Sequence, residues 1–155
     1  MNIKRLFKPF SNIPVAEAHC DGPCCVYDPA AARITAEAVR SMTKKMLDLP
    51  VPDRGDAAAA ASYMNTMARF ASIKEEQAES TKHELLVLWT DFFKPEHLEA
   101  NPDLHETFWN AAKLCSTTKQ NLDLAACDAL IEAVEKVHNM FWGAKGRDVD
   151  FYLAS

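Results

Sequence analysis

Apolar side chains recur at steps of three and four residues through four separate stretches of the chain, the spacing of one face of an α-helix. Ile34, Ala38, Met42, Met46 and Leu49 form the first stripe, which Pro50 and Pro52 stop. Asp28-Pro29 supplies its start: a carboxylate suited to the N-cap and a proline at the first helical position, where its missing N–H costs nothing. A short linker carrying Gly55 leads to a second, longer helix that starts near Asp56 and runs towards Phe93 through Met64, Met67, Phe70, Leu85, Leu88, Trp89 and Phe92. Its middle, Lys74 to Glu84, is nearly all polar, which predicts solvent on most sides or partner subunits that supply charges. Pro95 closes this helix. Asn101-Pro102 opens a third, with Leu104, Phe108, Ala111 and Cys115 on one face. A fourth begins near Asp123, carries Leu124, Cys127, Leu130, Val134, Val137 and Phe141, and ends at Gly143 as a left-handed C-cap. No strand-period segment and no internal repeat competes. The pattern predicts an all-α fold, an antiparallel up-and-down four-helix bundle with Ile34, Leu88, Phe108 and Val134 meeting in its core.

The chain of 155 residues, 48% hydrophobic and 25% charged, has the length and composition of one domain with its own core. No stretch approaches the roughly 18 to 20 continuous apolar residues of a membrane span. The formal charge of -5 comes without a stripe of clustered Lys and Arg, which argues against a nucleic-acid partner. Residues 1–18 differ from the rest in carrying Lys4, Arg5 and Lys8 against a single acid, Glu17, and read as a cleavable leader ahead of a domain at 19–155. Lys8, Pro9, Ser11 and Asn12 interrupt every apolar run in it, so a secretory signal is disfavoured. The expected location is cytoplasmic.

Five cysteines make an odd count, and Cys20, Cys24 and Cys25 crowd into one short run, which argues against a disulfide framework and for metal chemistry. That run is His19-Cys20-Asp21-Gly22-Pro23-Cys24-Cys25-Val26-Tyr27-Asp28-Pro29. A His-Cys dipeptide with a Cys four residues later reads as a hook able to hold one ion almost unaided. Elsewhere the bland readings prevail: His83, His97, His105 and His138 as surface or capping residues, Cys115 and Cys127 as core, and Met42, Met46, Met64 and Met67 as core filler.

The hook resembles that of the nickel-containing superoxide dismutases, with Gly22 in the variable slot and Cys25 in place of the usual Gly. The resemblance extends through Ala32-Arg33-Ile34, Ile73-Lys74-Glu75, the block from Val87 to Pro95, and Phe141-Trp142. It implies a superoxide-dismuting enzyme with one nickel per chain, a homohexamer of four-helix bundles, and a peptidase that removes the leader. It also implies the ligands: the sulfurs of Cys20 and Cys24, the free amine and imidazole of His19, and the backbone amide of Cys20. Thiolates are soft donors that favour the higher oxidation state, which suits a metal cycling between Ni(II) and Ni(III). While Ala18 is bonded to His19 that nitrogen is an amide, so cleavage is expected to license metal binding. The resemblance places Asp21 and Tyr27 beside the metal, with Tyr27 in a vestibule that admits superoxide, and makes the Gly22-Pro23 bond cis. Thr35 and Gln77 stand where better-known members carry a Glu and an Arg behind the imidazole, and Phe92 replaces a Tyr. Lys94 is a candidate for attracting the anion. Two other readings use the same chain: a non-catalytic nickel- or copper-binding bundle, and a structural helical oligomer with a degenerate site.

Overall fold

A computed structural model of the chain describes residues 24–154, so His19, Cys20, Asp21, the Gly22-Pro23 bond and the leader lie outside the described residues. Four helices form: α1 (Ala30–Leu47), α2 (Ala57–Val87), α3 (Leu104–Gln120) and α4 (Leu124–Ala144). Each has a local cause at its N-terminus or close by. Asp28 Oδ1 accepts the Ala30 N–H at 2.8 Å, Asp56 Oδ1 the Ala59 N–H at 2.9 Å, and Asp123 Oδ1 those of Ala125 and Ala126. Helix α3 starts at Leu104, after a turn that contains Pro102.

Helices α1 and α3 sit diagonally, each packed against α2 and α4. Phe108, Phe141, Leu85, Leu104, Leu130, Val134 and Val137 fill the space between them and are fully buried. The stripes expected on α3 and α4 are the ones the core uses, except that Leu124 is half-buried. On α1 the expected stripe is the wrong one. Ile34 is 55% exposed, and Ala38, Met42 and Met46 are only half-buried, while Ala32, Ala36, Val39 and Thr43 face inward. Small residues bring the α1 backbone close to its neighbours, near enough for Thr81 Oγ1 of α2 to reach Thr35 Oγ1 at 2.8 Å. Met64, expected as core filler, is 63% exposed. Gly143 lies inside α4, and the left-handed residue beyond the helix is Gly146, at φ 64°.

The polar middle of α2 also departs from expectation, because part of it is used within the chain. Lys74 is buried and its Nζ donates to the carbonyls of Thr118, Lys119 and Asn121 at 2.8, 2.8 and 3.0 Å. These are carbonyls that the end of α3 leaves without helical partners. Burial, the largest influence, pulls the Lys74 pKa below its ordinary value. Glu75, Glu76 and Glu79 on the remaining faces are exposed.

Beyond α4 the chain folds back over α1 and α4. His138, expected at the surface, is buried there, with Nε2 donating to the Val149 carbonyl at 2.7 Å and its ring against Phe151. Tyr152 covers the Arg33 guanidinium, whose ion pair with Glu37 is buried, and the Ala154 N–H donates to the other Glu37 oxygen.

Candidate metal centre

Cys25 and Tyr27, just ahead of α1, lie at the end of the bundle where the tail of α2 meets the end of α4. Cys24 and Cys25 are exposed thiols, and among the described residues neither is in a disulfide. Cys25 has φ 52°, in the left-handed region where glycine meets no steric penalty. The chain then turns inward at Tyr27, whose half-buried ring lies 5.8 Å from that of Phe92.

Phe92 reaches this place because the last turn of α2 widens. Leu88–Phe92 is a π-helical turn closed by the Phe93 N–H on the Leu88 carbonyl at 3.0 Å. One extra residue in a turn shifts the side chains that follow around the axis. Phe92 thereby packs 4.4 Å from Phe141 and stacks on His97 at 5.6 Å, with ring planes 12° apart. The His97 ring is fixed by its Nδ1, which accepts the backbone N–H of Lys94 at 3.0 Å. Around these rings opens a cavity of about 400 Å³ whose lining includes Cys25, Tyr27, Phe92, Lys94, His97 and Lys145.

Of the expected ligands only Cys24 is among the described residues, and among these no cluster of three or more His, Cys, Asp or Glu is gathered. Tyr27 and Lys94 come together at the cavity. Thr35 does not reach it: its hydroxyl donates to the carbonyl of Ala31 at 2.9 Å and pairs with Thr81, which also touches the Gln77 carbonyl. Thr35 and the backbone of Gln77 are thus brought together as neutral groups inside the α1–α2 contact. Cys115 and Cys127 are buried as expected, and burial raises both thiol pKa values, that of Cys115 to about 12. His105 is a surface acceptor for the Trp89 indole N–H at 2.8 Å. Sequence reasoning missed the place of Lys145 at the cavity and the stacking of His97 on Phe92, though it had anticipated a capping role for His97. The available signal was their closeness in sequence to Phe141-Trp142 and Lys94-Pro95.

The described residues thus form a helical bundle with an exposed thiol, Cys25, in the lining of an aromatic cavity that also holds Lys94 and Lys145. The family model for nickel-containing superoxide dismutase matches residues 14–145. The superoxide dismutase [Ni] of Streptomyces seoulensis is 38% identical over 143 residues, 92% of this chain and 98% of its own length. That of Streptomyces coelicolor is 36% identical over the same share of both chains. A crystal structure of a nickel-containing superoxide dismutase with nickel ligation of the oxidised state superposes with a TM-score of 0.70 at 39% identity, covering 83% of this chain and 99% of that one. A native nickel superoxide dismutase gives 0.71 at 37% identity, covering 82% and 99%. The chain belongs to the nickel-containing superoxide dismutases.

Proposed function

We infer that this nickel-dependent oxidoreductase converts superoxide to dioxygen and hydrogen peroxide at its own N-terminal hook, with His19, Cys20 and Cys24 as the metal ligands. The position of Cys24 is the observation that carries this reading: an exposed, unoxidised thiol three residues ahead of the Tyr27 ring that docks at the cavity. Soft sulfur donors of this kind fit nickel. When bound, the metal supplies one-electron chemistry between Ni(II) and Ni(III).

The remaining work falls to side chains. Peroxide formation consumes protons, and in this reading the Tyr27 phenol, whose residue lines the cavity, relays them. Asp21, two residues after His19 in the sequence, is assigned beside the metal in this reading, as the family resemblance implies. Phe92 walls the site with an apolar ring that neither donates nor accepts.

Residues 1–18 act as a leader whose removal by a peptidase turns the His19 nitrogen into an amine. Two facts support this: the family match begins at residue 14, ahead of His19, and the solved chains span less of this chain than the curated sequences while being covered almost fully. Assembly into a homohexamer is supported by apolar side chains left open on the α1–α2 arm, Val51 at 79% and Met64 at 63% exposure. The free thiols of Cys115 and Cys127 accord with a reducing, cytoplasmic setting. No helix among the described residues is long and apolar enough to cross a membrane.

Superoxide consumption by nickel-loaded protein tests the reading against that of a non-catalytic nickel or copper carrier. Turnover that disappears in Cys24→Ser supports it, and stoichiometric nickel without turnover refutes it.

A further inference from the structure

Phe92 owes its place to a turn of unusual register, and that turn is tied down from α3. Trp89, the second residue of the π-helical turn Leu88–Phe92, makes two contacts with one face of that helix. Its ring lies flat on the buried Phe108 ring, with 5.8 Å between centroids and 3° between planes. Its indole N–H donates to His105 Nδ1 at 2.8 Å. His105 and Phe108 stand three residues apart and so share a face of α3. The two contacts do different work. A stack tolerates lateral shift and rotation of the ring, whereas a hydrogen bond fixes where the N–H points. The bond to His105 therefore sets how the indole lies on Phe108, and with it the register of the turn.

Three residues on from Trp89 the same turn delivers Phe92, whose ring lies 4.4 Å from Phe141, 5.6 Å from His97 and 5.8 Å from Tyr27. The π-helical register is rare and occurs as single turns inside α-helices, so side-chain contacts have to hold it. A return to the α-helical register would carry Phe92 round the helix axis, away from the Tyr27 ring.

We propose that the Trp89–His105 hydrogen bond holds the π-helical turn in register and so keeps Phe92 against Tyr27, which makes His105 a positioning residue for the reaction. This rests on the dismutase reading above, in which Tyr27 relays protons. His105 is not among the described residues that line the cavity. Its effect is carried through Trp89 and Phe92 and falls on proton delivery, read in kcat, more than on capture, read in kcat/KM.

The test is His105→Leu in the processed, nickel-loaded protein, with nickel content measured. The control is His105→Asn, which returns an acceptor, Oδ1, to the place of Nδ1. The indole is half-buried, so its N–H turns to water when the acceptor is removed, and the fold survives. Pulse radiolysis gives kcat and kcat/KM. Two resonances report the geometry without turnover: the ¹⁵N–¹H signal of the Trp89 indole, one of three tryptophans, and the ¹⁹F signal of 3-fluorotyrosine at Tyr27, one of three tyrosines. The expected result for His105→Leu is a loss of about 3- to 10-fold in kcat at unchanged nickel, a smaller change in kcat/KM, and a shift of both resonances. His105→Asn should restore all of them. Wild-type kcat in His105→Leu would overturn the proposal, as would a Tyr27 resonance that stays in place while the Trp89 indole shifts. So would a His105→Asn protein that regains the indole signal but not kcat. If the wild-type protein lacked dismutase activity, the reading beneath would fail, and the two resonances would still decide whether His105 holds Tyr27 through the turn.

Discussion

Lys74 and Thr118 join two helices at a point far apart in the sequence: the buried ammonium of α2 donates to a carbonyl at the end of α3 over 2.8 Å. The same nitrogen reaches the Lys119 and Asn121 carbonyls, so one side chain caps the α3 terminus and fixes the turn into α4.

Replacing it should therefore be costly out of proportion to its size. Lys74→Met keeps the length but leaves three carbonyls without their donor, at a cost of roughly 2 to 3 kcal/mol. Urea denaturation followed by circular dichroism measures it. A variant as stable as the parent would mean that water satisfies these carbonyls equally well.

Cys24 and Cys25 should separate cleanly by substitution. Cys25 holds φ 52°, so Cys25→Gly removes a strained Cβ and should leave nickel content intact with stability unchanged or higher by up to about 1 kcal/mol. Cys24→Ser should lose nickel and activity with the helical spectrum preserved. Nickel lost from Cys25→Gly instead would move the sulfur ligand by one residue.

The two buried thiols give a pH dependence with a definite sign. Burial raises Cys115 to about 12, whereas an unfolded cysteine ionises near about 8.5. Between those values the unfolded chain has released a proton that the native chain keeps. The contribution of Cys115 is therefore complete below the lower value and is lost as pH rises towards the upper one. At pH 8, iodoacetamide should label Cys24 and Cys25 of nickel-free protein and spare Cys115, as peptide mass mapping will show; native labelling of Cys115 would contradict its burial.

The segment after α4 should act as a strap. Ending the chain after Arg147 removes the Val149 carbonyl from His138, the Tyr152 ring from Arg33 and the Ala154 N–H from Glu37. The expected loss is about 2 kcal/mol, a fall in Tm of roughly 4 to 8 °C, with activity per nickel unchanged. An unaltered Tm would show that these contacts contribute nothing net.

Helices α3 and α4 were legible in the sequence because large apolar residues such as Phe108, Leu130 and Phe141 mark their inner faces. Helix α1 was legible as a helix but not in its orientation. Its packing face is Ala32, Ala36, Val39 and Thr43, which a hydrophobic pattern ranks below the exposed Ile34 and the methionines. The inward turn of Lys74 depends on carbonyls far along the chain, and no local spacing encodes that. The hook is one contiguous run, so its chemistry is readable directly. The cavity is assembled from Tyr27, the π-helical turn at Phe92, His97 and Lys145, which meet only after the bundle forms. The strap has neither helical nor strand period, so its contacts with Arg33 and His138 leave no pattern to read.

Intact mass combined with nickel analysis of the active protein from its own host bears most directly on the account. The account predicts a chain that begins at His19 and carries one nickel ion. A fully active chain that still retains residues 1–18 would contradict it, because its His19 nitrogen would still be an amide.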